Sequence, residues 1–505
     1  MSNKISKIIA TIAALGAAYI GASWWLGKQV EARYMALADR VVAQFGPDIF
    51  VERQYERRLF SSTSSVVVQL DWSPVWQDAA VDDDEAESAI EEDADPDADP
   101  AEGTPPPETA QKPAQKMPVQ KVRLTFQDDI RHGPLLPGMT FGAARIHTRL
   151  TKVDGADDAT RQMFAKAKPP ELDTLAGFDG TYSGQARLPA GELIDPKTPD
   201  NAMQWQELVY DYRYNADASH IEGTVNWPQF TLRISSAPSD DKDMAMALRM
   251  DGLKATFDVT QVGERWFFVP GQSSSTLDAM TISYRGEEQS DLKAVLDLKK
   301  LKFDRKASSH NGLMNSTDTM TGEGRIGGLT LKAIRLESKL QNVTETGLMA
   351  IQKLLTRSKA ETQNQKAAEF LNDLTDTMRQ LLKGQPDYRF SLTATTPDDQ
   401  MAQLSYHVAL SADKEGSDRQ PWMISLRQRL SADADLRLPK AWLPTLADLT
   451  NNPDVTPETV TDLVQTLIQQ GLIVEEGDAY IAKAQVGNSQ INLNGKPLFG
   501  GDMGR

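Results

Sequence analysis

The chain has 505 residues, no cysteine and a formal charge of −17, so it can build no disulfide framework, no thiolate metal site and no cysteine nucleophile. Fourteen Asp or Glu fall between Asp78 and Glu108, which leaves only about −3 for everything else. With no basic stripe of the kind that tracks a phosphate backbone, nucleic acid is not an expected partner. Hydrophobic residues make up 40% of the chain, the ordinary level for a globular protein, and the length exceeds what one hydrophobic core usually serves.

Ile8 to Gly27 is free of charged residues and is flanked by Lys4, Lys7 and Lys28. As a helix it would be roughly 30 Å long, the thickness of a bilayer's hydrocarbon core. A secretory signal has a shorter apolar core and a small-residue cleavage site, whereas this run continues into Trp24-Trp25-Leu26. The expectation is an uncleaved anchor with residues 1–7 cytoplasmic. Ala10, Ala14, Ala18 and Ala22 form a small-residue face on which a second copy of the helix could pack, giving a homodimer.

Val30 to Phe45 has helical spacing and is stopped by Gly46-Pro47. Ser65 to Leu70 has a strand's composition. Asp78 to Lys116 is acidic, Pro-rich and without aromatics, and predicts a disordered loop. Its Asp95, Asp97 and Asp99 imitate a calcium loop, but Pro100 stands where the turn Gly belongs. Strands are predicted at Val119–Phe126, Thr140–Leu150, Leu208–Tyr214, His220–Trp227 and Phe230–Ile234. The first of these could pair with the strand near Val66–Leu70 across the acidic loop. Leu298-x-x-Leu301, Leu331-x-x-Ile334, Met250-x-x-Leu253 and Leu277-x-x-Met280 repeat a spacing that throws a strand onto its wrong face unless a bulge absorbs one residue. This predicts bent strands that keep one apolar face, with ordinary strands joined by two-residue turns as the alternative. Helices are expected at Glu345–Leu355, Ala360–Leu382, Pro439–Leu449 and Thr456–Gln470, the last with a Thr cap and a proline in its first turn. Strands are expected at Tyr388–Ala394, Gln403–Leu410, Trp422–Leu430, Gly471–Val474, Ala479–Val486 and Gln490–Leu493.

Chemistry is sparse. Gly322 to Gly327 has dinucleotide-loop spacing but lacks the following helix that such a loop requires. The five histidines are scattered, with no ligand pair. Lys299, Lys300, Lys302 and Arg305 alternate with apolar residues and read as the wet face of a strand, with a lipid-headgroup contact as the alternative. No catalytic, cofactor or metal residues are predicted.

Gly21 to Glu31, Tyr55-x-Arg57-x-Leu59-Phe60-Ser61-Ser62, His132-Gly133-Pro134, Leu277-x-x-Met280-Thr281-Ile282-Ser283 and Ile491 to Lys496, with Asn494-Gly495, occur in that order. The ordered set resembles the YdgA-like family of bacterial membrane-anchored proteins of unknown function. Arg58 stands where that family carries Gly, a position where a left-handed backbone would be strained. The resemblance implies an inner-membrane anchor with a large periplasmic region and brings no enzymatic activity.

The fold expected is mainly β with several helices: a single N-terminal transmembrane helix followed by a long curved, largely antiparallel sheet. Its parts are a cytoplasmic tail (1–7), an anchor (8–27), a juxtamembrane helix with the first strands (28–77), an acidic insert (78–116), a β-rich region (117–340) and an α+β region (341–505). The leading functional reading is a non-enzymatic envelope protein that contacts lipid or another envelope component through an apolar sheet face. The alternatives are a scaffold whose core is filled by its own helices and a hydrolase using His132. An open groove favours the first and a filled core the second.

Overall fold

A computed structural model describes residues 18–36, 39, 50–72, 120–155, 167–195, 198–235, 245–260, 268–285, 292–355, 367–412, 422–445, 456–487 and 490–497. The acidic insert, its calcium-like aspartates and the first ten residues of the apolar run lie outside them.

The described chain opens with helix α1 over 18–36. Strands follow as β1 (Phe50–Arg57), β2 (Ser61–Trp72), β3 (Gln120–His132), β4 (Leu135–Leu136), β5 (Thr140–Phe141), β6 (Ala144–Asp154), β7 (Glu171–Ala176) and β8 (Thr181–Leu188). Next come β9 (Gly191–Ile194), β10 (Ala202–Trp205), β11 (Leu208–Asn215), β12 (His220–Ser235), β13 (Ala245–Thr260), β14 (Gly271–Arg285), β15 (Lys293–His310), β16 (Leu313–Ile326) and β17 (Leu329–Thr344). The C-terminal part holds α2 (Glu345–Leu355), α3 (Ala367–Leu382), β18 (Asp387–Thr395), β19 (Met401–Leu410), α4 (Trp422–Arg429), β20 (Leu430–Pro439), α5 (Pro457–Gln469) and the short strands β21 to β24 between Val474 and Pro497.

Apart from the small β4–β5 pair, the strands form one 22-stranded sheet. Its pairings are all antiparallel, and most join sequence neighbours: β12 with β13, β13 with β14, and so on through β20. The expected pairing across the acidic insert is present, with Val66 opposite Phe126 and Leu70 opposite Val122. A row of directly paired polar residues crosses one face: Asp129, His147, Asp173, Gln185, Asp211, Thr224, Thr256, Ser274, Asp304, Thr319 and Glu337. On the opposite face Leu193, Met203, Leu232, Leu248, Ile282, Leu296, Ile326 and Leu329 make an unbroken apolar row. At about 4.8 Å per strand this row is roughly 34 Å long.

The repeated three-residue spacing has the predicted cause. The ladders are interrupted along one line, between Trp227 and Gln229, between Lys299 and Lys302, and between Gly322 and Gly324. Gly252 and Lys300 there take φ of 71° and 52°. An interruption of this kind bends a strand and restores its facing. Leu298 and Leu301, and likewise Leu331 and Ile334, accordingly sit in one cluster.

Several expectations are corrected. His220 to Ser235 is one strand, not two; Pro228, which has no N–H to donate, falls at the ladder interruption and costs the sheet no hydrogen bond. Trp422 to Arg429 is helical rather than extended, as suits Met, Leu, Arg and Gln and a last turn carrying Arg427 and Arg429. Thr140–Leu150 divides into β5 and β6. Gly27 lies inside α1, which runs on to residue 36 and takes in the start of the expected Val30–Phe45 helix, while residues 40–45 lie outside the described ones. No helix among the described residues is long and apolar enough to cross a membrane. The C-terminal helix forms as expected, with the Thr456 hydroxyl accepting from the Thr459 N–H and proline in the first turn.

Every helix-bearing cluster lies on the apolar face. Leu26 and Val30 of α1 pack with Ile130, Ile146 and Tyr182. Leu348 and Leu381 pack with Met314 and Val343, and Trp442 packs with Leu298, Leu331 and Ile334. Val464 of α5 joins Leu443 and Tyr480. The cluster of Leu193, Trp205 and Leu232 is different. Among the described residues it draws every member from the sheet except Ala167.

Candidate functional site

Two places on the apolar face stand out, a helix dock and a groove. At the dock the residues that carry the family resemblance gather around α1. Gly27 has no Cβ, and a Cβ there would stand 2.6 Å from His132 Cε1. The imidazole therefore lies flat against the helix backbone and its Nδ1 reaches the Ser23 carbonyl at 3.1 Å. Since a carbonyl can only accept, Nδ1 carries the proton. Among the described residues Nε2 is then buried without a hydrogen-bond partner, as is the Ser23 hydroxyl. Gly133 has φ of 145° and a Cβ there would meet Ser23 Oγ at 2.9 Å, so both glycines are required by the close approach of helix and strand.

The surrounding contacts hold the same joint. The Phe60 carbonyl accepts from the His132 N–H at 3.1 Å and the Ser61 carbonyl from the Arg58 N–H at 2.7 Å. Arg58 is not among the residues with positive φ, so the turn carries no left-handed strain at that position. Tyr19 stacks on Phe60 with ring centroids 6.0 Å apart and donates to the Leu135 carbonyl just beyond Pro134. Arg57 pairs with Glu31 at 3.2 Å and lies over the Trp24 ring. Tyr55 packs against Tyr34. The Tyr34 hydroxyl donates to Asp128 at 2.5 Å, and Thr148 donates to the other carboxylate oxygen at 2.5 Å. Asp128 is 4% exposed. Burial, then the neighbouring Asp128 carboxylate, push the Tyr34 hydroxyl well above its ordinary pKa.

Of the residues named from sequence, Tyr55, Arg57, Phe60, Ser61, Ser62, His132, Gly133 and Pro134 thus meet at one joint. Asn494 and Gly495 do not. They turn the chain between β23 (Gln490–Leu493) and β24 (Lys496–Pro497) with φ of 49° and 76°, and the Asn494 amide donates to the Gly471 and Leu472 carbonyls at the end of α5. Sequence reasoning placed Ser23 and Gly27 in the resembling Gly21–Glu31 stretch without giving them a role, and missed Tyr34 and Asp128 as parts of the joint. Asp128 had a signal: it interrupts the apolar alternation Val122, Leu124, Phe126, Ile130.

The remaining histidines sit mostly on the polar face beside carboxylates: His147 with Asp173, His220 with Asp258, and His407 between Asp387 and Asp433. Although burial opposes it, bonds from His407 and Arg389 hold Asp387 below the usual carboxylate range. Each cation of the basic run stands beside a carboxylate, Lys299 by Asp297, Lys300 by Glu323, Lys302 by Asp304 and Arg305 by Asp318. Gly322 to Ile326 belongs to β16.

The groove, of about 670 Å3, lies over the cluster that no described helix covers. Its walls include Leu124, Phe126, Leu150, Val153, Leu188, Leu193, Met203, Trp205, Trp227 and Phe230. Trp205 donates its indole N–H to the Pro189 carbonyl at 2.8 Å, and Trp227 and Phe230 pack with ring centroids 4.9 Å apart. The titratable groups in the wall are Lys152 and Lys168. The volume falls in the range of a site for one small molecule.

These features define a protein built on one antiparallel sheet, polar on one face and apolar on the other, with an N-terminal helix keyed into the apolar face. The profile of a bacterial protein family of unknown function, DUF945, matches residues 3–499, and the chain belongs to that family. No curated protein and no solved structure matches it.

Proposed function

We propose that this protein binds the acyl chain of a lipid in the groove formed by Leu193, Met203, Trp205, Trp227 and Phe230. The observation that carries this reading is the contrast among the core clusters: four take apolar side chains from helices or from the segment around Trp442, whereas the cluster under the groove, among the described residues, takes its members from the sheet and Ala167. A scaffold with a self-filled core has no need of such a groove, and burying a chain there gains roughly 0.8 kcal/mol per methylene. The role is non-enzymatic. The dock accounts for His132 without catalysis, since its Nδ1 is used on the Ser23 carbonyl and the residue is 3% exposed.

The groove also supplies its own reporter. A dibrominated stearoyl chain should quench tryptophan fluorescence saturably, and Trp227→Phe combined with Trp205→Phe should remove most of that quenching. Quenching unchanged by the double substitution, or absent throughout, would overturn the reading.

The placement that goes with this function is the inner membrane, reached through the N-terminal apolar run, with the sheet in the periplasm, a reading supported by the uncharged apolar run and by the YdgA-like resemblance. Residues 18–27 of that run dock on the sheet through Tyr19, Ser23 and Leu26 and so lie beside the membrane rather than across it. This placement gives the protein a lipid supply beside its groove. Alkaline phosphatase fused after Arg505 should be active and β-galactosidase fused there inactive; the reverse pattern refutes the placement.

A further inference from the structure

We infer that the groove's ligand is a single-chain amphiphile with an anionic head, specifically the carboxylate of a long-chain fatty acid, and that Lys168 holds that head. This rests on the acyl-chain reading and adds the chemistry of the ligand's polar end. Two observations carry it. Among the described residues the walls contain no carboxylate, and the titratable groups in them are Lys152 and Lys168. Lys152 is already engaged, its Nζ 2.8 Å from Asp154, whereas Lys168 has no partner among the described residues. This contrasts with the basic run on β15, where all four cations are matched with carboxylates. A cation at the edge of an apolar groove, with no carboxylate beside it among the described residues, favours a ligand that brings an anion to that edge.

The local chain is suited to this. Lys168 is followed by Pro169 and Pro170, which also line the groove. Their fixed φ limits how far the backbone at 168 can move. The ammonium on its four-carbon stem is thus tethered at the groove edge while the chain lies across the strands toward Leu193 and Phe230. A groove of this volume takes one chain, which favours a free fatty acid over a two-chain phospholipid.

The test compares stearic acid with stearyl alcohol, both brominated on the chain, by tryptophan quenching on the whole protein, wild type and Lys168→Met. The expected result is an acid that binds wild type about five- to tenfold more tightly than the alcohol, the order of one charge-assisted contact, and equal affinities for the two in Lys168→Met. Lys152→Met should keep most of the preference. Equal affinities already in wild type would overturn the headgroup assignment and leave the acyl groove standing. A preference that survives Lys168→Met overturns the role of Lys168. If neither compound quenches, the groove reading itself fails. Vesicles of phosphatidylglycerol bound more tightly than stearate would replace the fatty acid with a phospholipid.

Discussion

Gly27→Ala should destabilise the protein, and the same substitution in a His132→Ala background should be neutral or stabilising. The sign reversal comes from two opposed effects. In a helix interior Ala is favoured over Gly by about 1 kcal/mol. Against this, the new methyl would stand 2.6 Å from His132 Cε1 and 2.8 Å from Nδ1. The ring cannot simply swing aside. It is bonded to the Ser23 carbonyl, and the next residue, Gly133, is pressed against Ser23. Overpacking at a rigid contact costs about 1–3 kcal/mol, so the clash wins in the wild-type background. Removing the imidazole removes the clash and leaves the propensity gain. Denaturant unfolding of the four proteins in the cycle measures the coupling. Hydrogen exchange at residues 18–36 should rise in Gly27→Ala, because Leu26 and Val30, 6% and 2% exposed, lose their seat on Ile130 and Ile146. Equal effects of Gly27→Ala in both backgrounds would show that the ring and the helix are not coupled.

This joint shows where reading the sequence stops. His132-Gly133-Pro134 reads locally as a turn, and a turn is present. What the ring does depends on a helix more than one hundred residues earlier, and no spacing rule connects the two. The groove was hidden for the same reason: Leu193, Trp205 and Phe230 share a wall only because short strands β9 and β10 fold beside β12, and β7 to β10 are too short and mixed to show a period. By contrast, Leu298-x-x-Leu301 carries its bend in its own spacing, and Thr456-Pro457-Glu458 carries its cap. Features fixed by neighbours along the chain were legible. Those fixed by neighbours across the sheet were not, except where one residue broke a pattern, as Asp128 does. Trp422 to Arg429 failed differently, because a short apolar run followed by basic residues suits either period.

Tyr34→Phe should cost about 2 kcal/mol, more than removal by Ser64→Ala of the hydroxyl that lies 3.0 Å from the Tyr34 hydroxyl, and should flatten the dependence of stability on alkaline pH. Among the described residues Asp128 has no basic partner; its charge is held by the Tyr34 and Thr148 hydroxyls. A hydrogen bond to a charged group contributes about 1.5–3 kcal/mol, and Phe keeps the ring but leaves the carboxylate short of a donor. The pH effect follows from the raised pKa of Tyr34, caused first by burial and then by Asp128. An unfolded tyrosine loses its proton near pH 10, while the folded one still holds it. Its contribution to stability is therefore complete below about pH 10 and is lost progressively as pH rises toward the folded value, by about 1.4 kcal/mol per pH unit for each such group. Burial raises Tyr214, Tyr182 and Tyr212 in the same direction, so several protons act together and alkaline unfolding should be steep. In wild type the phenolate absorbance of these tyrosines should appear together with loss of the sheet's circular dichroism, and Tyr34→Phe should reduce the slope by about one proton. Full phenolate absorbance with the sheet still intact would mean that Tyr34 ionises in place, and the buried contact with Asp128 would have to be abandoned.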